Sequence, residues 1–134
     1  MRYLLDTNAC IRYLNGESQI LRQRLQEVDL EDIVVCSIVK MELFYGAMRS
    51  ENPDLSWRQQ QRFLQVFVSL PFDDIAALFA GRIRAQLAAY GTPIGANDLL
   101  IASIALAHDL TLVTHNIGEF NRIEELHIED WEAL

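Results

Sequence analysis

Asp6, Glu42, Asp98 and Asn116 place acid or amide side chains just beyond, or within, segments of a 134-residue chain that otherwise read as buried. A carboxylate in such a place is costly unless it is paired or holds a cation, so several converging on one point suggest a metal site. Each also has a plain structural role: Asp6 and Asn116 as turn formers, Asp98 as a first-turn acid complementing a helix dipole, Glu42 as a partner for Arg49 or Lys40. Placement argues for function. In open α/β sheets ligands bind outside the carboxyl ends of the strands, where two of the four lie and near which the other two helices begin.

The elements that must position them can be read from the hydrophobic pattern. Asp6 follows Tyr3-Leu4-Leu5, a buried-strand run, and precedes Thr7 and Asn8, which suit a strand-to-helix turn. Glu42 lies on a helix over residues 38–48 that Ser37 can cap, on one face with Ile38, Tyr45 and Arg49. Asp98 opens an apolar helix through Ala107, and Asn116 ends the run Thr111-Leu112-Val113-Thr114-His115, with Glu119 close behind. Along the whole chain, strands are expected at residues 2–5, 33–36, 68–70 and 111–114, with a weak one at 127–128. Helices are expected near residues 9–14, 18–27, 38–48, 57–67, 74–90 and 97–108, with Gly91 closing the fifth. Residues 50–56, containing Asn52-Pro53-Asp54, read as a flexible loop. Strands separated by helices imply an α/β fold: a three-layer α/β/α sandwich on a mainly parallel central sheet.

Length places residues 1–134 in one domain, and 51% hydrophobic residues suffice for one core. The sequence shows no apolar stretch of ~18 residues and no charged-then-apolar leader, so a cytoplasmic protein with no membrane span is expected. Cys10 and Cys36 lie in no C-x-x-C or Cys/His cluster and read as buried thiols. His108, His115 and His127 are scattered. Eleven basic against nineteen acidic residues give a net charge of −8, which excludes nucleic-acid binding by broad electrostatics. Local contacts are still open to Arg49, Arg82 and Arg84, the first on the Glu42 face and the others on the helix before Asp98.

Four motifs now stand in order: Asp6-Thr7-Asn8 after the first strand; Met41-Glu42-Leu43-Phe44-Tyr45-Gly46; Ile94-Gly95-Ala96-Asn97-Asp98-Leu99; and Leu112-Val113-Thr114-His115-Asn116 with Glu119-Phe120. Together they resemble a PIN-domain ribonuclease of the VapC toxin type, over essentially the whole chain. The resemblance implies that Asp6, Glu42 and Asp98 are the acidic metal-site residues and that Asn116 stands at the fourth catalytic position. Thr7 would be an accessory donor, and Glu119 would either supply the missing charge or pair with Arg122. Oxygen ligands select a hard cation, Mg²⁺ with Mn²⁺ as substitute. The implied activity is RNA cleavage by metal-activated water, leaving a 5′-phosphate and a 3′-hydroxyl. A cognate antitoxin and a toxin homodimer joined through helices are the implied partners, with Phe44, Tyr45, Met48, Trp57, Phe63 and Phe67 as available apolar surface.

Other readings compete with this one. A haloacid-dehalogenase phosphatase needs a second aspartate where Asn8 stands, and a response-regulator receiver needs an acidic pair and a phosphoacceptor that do not appear. A PIN-like interaction module with a degenerate metal site, or an RNA-processing nuclease without a toxin role, stays open.

Overall fold

Parallel strands buried on both faces need continuous apolar runs, and three short ones supply the middle of the sheet. The computed structural model describes residues 1–134. In chain order it contains β1 (Tyr3–Leu5), α1 (Thr7–Leu14), α2 (Gln19–Glu27), a 3₁₀ turn (Leu30–Asp32), β2 (Ile33–Cys36), α3 (Ser37–Met48), α4 (Pro53–Leu64) and β3 (Val68–Leu70). Then follow α5 (Asp74–Ala89), α6 (Ala96–Ala107), β4 (Thr111–Val113), α7 (Ile117–Phe120) and β5 (Ile128–Glu129).

The five strands pair in the order β3-β2-β1-β4-β5, and every pairing is parallel. Leu4, Leu5, Val34, Val35 and Leu112 are sealed from solvent, and one cluster of 30 buried residues joins the sheet to its helices. α6 is the most deeply embedded helix: Ile101, Ala102, Ser103, Ile104 and Ala105 are all buried, and the Ser103 hydroxyl donates back to the Leu99 carbonyl at 2.7 Å. No helix is long and apolar enough to cross a membrane.

The strand order reverses between β1 and β4. Parallel strands on either side of such a point send their connections to opposite faces, which opens a crevice at their carboxyl ends. Leu5 pairs with Val113, and the Asp6 amide donates to the Val113 carbonyl at 3.1 Å, so the residues leaving β1 and β4 emerge side by side at that edge.

Residues 50–56 are not a loop throughout, because α4 begins at Pro53. Asn52 caps it, accepting from the Leu55 amide at 3.2 Å, and Pro53 occupies the first helical position, where a missing N–H costs nothing. The helix then stops at Leu64, three residues sooner than expected, as the chain turns to bury Phe67 and enter β3. α3 starts at Ser37, which lies inside the helix and does not cap it. β4 ends at Val113, and the one-turn α7 was not expected. Gly91 follows α5 with φ of 69°, the left-handed conformation that glycine adopts most freely.

Candidate metal centre

Asp6 is the N-cap of α1. Its Oδ1 accepts from the Ala9 amide at 2.8 Å, and the side chain is almost wholly buried. Burial pushes its pKa up to about 6; hydrogen bonds from Thr114 and Ala9 oppose the rise, while the charges of Glu132 and Glu42 add to it. Glu42 sits midway along α3 and turns across to α1 and α6: Thr7 Oγ1 donates to its Oε1 at 2.5 Å and Asn97 Nδ2 to its Oε2 at 3.4 Å. Those two donors stand where an ion pair with Arg49 or Lys40 was the alternative.

Asp98 lies in the first turn of α6, half-buried, and its pKa is raised to about 7, first by burial and then by Glu119, Glu42 and Asp6. Glu119 comes from α7 and is held ionised: the Gly95 amide donates to its Oε1 at 2.6 Å and Asn116 Nδ2 to its Oε2 at 2.9 Å, keeping it below the usual carboxylate range. A β-carbon on Gly95 would lie 3.4 Å from Glu119 Oε1 and 3.6 Å from Asp98 Oδ2, so both carboxylates meet at the start of α6. The two carboxyls shift in opposite senses, Asp98 up and Glu119 down, as acids crowded at one point do.

A cleft of about 500 Å³ opens over this group. Asp6, Thr7, Asn8, Glu42, Asn97, Asp98 and Asn116 form its polar wall, with Ile11, Met41, Tyr45, Gly46 and Phe120 around them. No lysine or arginine lines it.

The decisive comparison is with a family model. The model described as PIN domain matches residues 3–126, nearly the whole chain. This chain belongs to the PIN-domain family. It is 37% identical over 131 residues to the tRNA(fMet)-specific endonuclease VapC of Salmonella typhimurium, covering 98% of each chain, and 37% identical over 133 residues to ribonuclease VapC2 of Rickettsia felis, covering 98% of this chain and 99% of the relative. Among solved structures, DNA-bound VapBC from Salmonella typhimurium matches with a TM-score of 0.93 at 37% identity, over 98% of both chains. Within the family it is therefore of the VapC type, and PIN-domain nucleases generally depend on a divalent metal.

The donor set of this PIN domain suits such an ion. Three carboxylates, a fourth behind them and neutral oxygen donors converge, with no thiol or imidazole among the lining residues, which favours a hard cation. Of the residues proposed from sequence, Asp6, Thr7, Glu42, Asp98 and Asn116 share the cleft, and Glu119 reaches it through Asp98. The arginines do not line it. Arg49 bonds Tyr45 Oη at 3.1 Å, Arg82 pairs with Glu125 at 2.8 Å on the surface, and Arg84 lines a separate, mostly apolar cavity of about 460 Å³ between α5 and α6. Arg122 donates to the Pro93 carbonyl at 2.7 Å, and no ion pair joins it to Glu119.

Sequence reading missed two members of this PIN-domain site. Asn97 braces Glu42, and Thr114, fully buried, hydrogen-bonds Asp6 while accepting from the Asn116 amide at 2.9 Å. The signal for Thr114 was register: once Leu5 is set opposite Val113, Thr114 must lie beside Asp6.

Proposed function

We propose that this PIN domain, taken as the single unit 1–134, is a metal-dependent endoribonuclease that cuts structured or single-stranded-loop RNA and acts as the toxin of a toxin–antitoxin pair. One observation carries the reading: carboxylates from the start of α1, from α3 and from α6 line one cleft, a fourth from α7 stands behind them, and no basic side chain lines it.

Asp6, Glu42 and Asp98 would hold Mg²⁺, with Mn²⁺ as substitute. When bound, the ion supplies charge that offsets the phosphodiester and lowers the pKa of water beside it. The protein's own groups set the geometry. Thr7 and Asn97 fix the two oxygens of Glu42, Thr114 and the Ala9 amide fix Asp6, and Asn116 with the Gly95 amide fixes Glu119. Asp98 would hold the ion as a carboxylate, with Glu119 fixed beside it. A proton leaving the attacking water can pass to that pair.

Two curated relatives carry names that specify tRNA(fMet), so that RNA is the first substrate to test. Unpaired loops expose bases and a bendable backbone that a protein cleft can reach. The experiment is to incubate purified protein and tRNA(fMet) with Mg²⁺ and map new 5′-phosphate ends, with Asp98→Asn as control; absence of Asp98-dependent ends on this or any cellular RNA would overturn the reading.

An antitoxin fits the surface as well as the logic of a toxin. Met41, Phe44, Met48, Leu55 and Trp57 are exposed on α3 and α4, while Phe63 and Phe67 turn inward, Phe63 stacking on Tyr13 at 4.8 Å. A basic antitoxin side chain would be drawn to the acid cluster. The toxin would form a homodimer through its helices and work in the cytoplasm, where its RNA and its antitoxin are made.

A further inference from the structure

Tyr45 is the exposed aromatic residue of the acid cleft, and Arg49 is in contact with it. Glu42, Tyr45 and Arg49 follow one another at i, i+3 and i+7 on α3, so they share one face, and Tyr45 lines the acid cleft one turn beyond Glu42. Tyr45 is 60% exposed, and its hydroxyl is bonded only to Arg49. The Arg49 guanidinium lies 5.3 Å from the ring centroid, a cation–π contact that covers one side of the ring. Arg49 has no carboxylate within ion-pair distance, as holds for most basic residues of the chain, but it is the one in contact with an aromatic ring that lines the cleft. A rigid, wet ring backed by an uncompensated guanidinium, at the rim of a cleft with no other cation, matches the two things a single-stranded nucleic acid presents: a base face and a phosphate.

Resting on the endoribonuclease reading, we propose that Tyr45 is the platform on which a base next to the scissile phosphate stacks, and that Arg49 braces the ring and meets the adjoining phosphate. Stacking on an aromatic side chain tolerates any base and is strong enough to place the backbone over the acids. In a chain of net charge −8 such a local clamp is needed, because the protein's overall field repels RNA.

The test uses tRNA(fMet), intact and with single abasic nucleotides placed in turn along its unpaired loops. Binding is read by fluorescence anisotropy on the non-cleaving Asp98→Asn protein, with and without Tyr45→Ala, and cleavage is read on the wild-type background. Tyr45→Ala should weaken binding and raise KM by about 10- to 100-fold with kcat changed far less, and Tyr45→Phe should keep most of the affinity. One abasic position should cost wild type the same factor and cost Tyr45→Ala nothing further. Arg49→Ala should flatten the dependence of log affinity on log salt by ~0.7, one phosphate on a single strand. Additive losses at every abasic position, or unchanged RNA affinity in Tyr45→Ala with only antitoxin binding weakened, would overturn the proposal and give this ring to the protein partner. Failure of wild type to cut would strike the nuclease reading alone, since anisotropy reads stacking without cleavage.

Discussion

Asn116 donates its side-chain amide to Glu119 Oε2 at 2.9 Å, so the amide at the fourth position holds an acid in place and does not substitute for one. Glu119→Gln should therefore weaken Mg²⁺ binding more than Asn116→Ala does, because the first removes a charge and the second only its support. Asn116→Asp should lower Tm in chelator more than Asn116→Ala does, since it sets a second carboxylate against Glu119. Calorimetric titration with Mg²⁺ ranks the three variants, and an affinity unchanged in Glu119→Gln would remove that residue from the metal centre.

The pH dependence of stability follows from two raised carboxyls. Asp6 and Asp98 keep their protons to about 6 and about 7 in the native state, against an ordinary 3.8. Between about pH 4 and pH 7 the native chain binds more protons than the unfolded one, so ion-free stability falls as pH rises through that window and levels off above it. A divalent cation competes with those protons. Added Mg²⁺ should raise Tm little at pH 5 and clearly at pH 8, which a pair of melting curves at each pH will show.

Asp6→Asn and Asp98→Asn should each raise Tm in chelator, because each replaces a carboxylate that crowds its neighbours. Neither variant should gain stability from Mg²⁺ as wild type does. Loss of Tm in both would mean that the carboxylates support the fold and not a bound ion.

Thr114→Val keeps the shape of the side chain and removes the hydroxyl that bonds Asp6. The Asp6 pKa should rise further, so cleavage should fall more at pH 6 than at pH 8. Equal losses at both values would point to a packing role for Thr114.

The sandwich was legible because β1, β2 and β4 are short, mainly apolar runs between turn residues, and the three acids because Asp6 ends such a strand, Asp98 opens an apolar helix and Glu42 interrupts another. Thr114 was not legible in that way. A threonine at a strand end looks like any other until pairing sets it beside Asp6, and pairing is a tertiary fact. The start of α4 was written in local chemistry and misread: Asn52-Pro53-Asp54 serves equally as a turn and as a cap, first residue and first-turn acid, and the contacts of α4 with α3 decide between them. Asn52→Ala should cost about 1 kcal/mol in denaturant unfolding if the cap holds the helix.

The central claim is that the carboxylates around Asp98 cut RNA with a divalent cation. The most direct measurement maps 5′-phosphate ends on cellular RNA after brief induction, comparing wild type with Asp98→Asn. New ends at one or a few sites in wild type, absent in the variant and reproduced by purified protein only with Mg²⁺ or Mn²⁺, are predicted. The same ends in both proteins, or purified cleavage that survives a chelator, would contradict it.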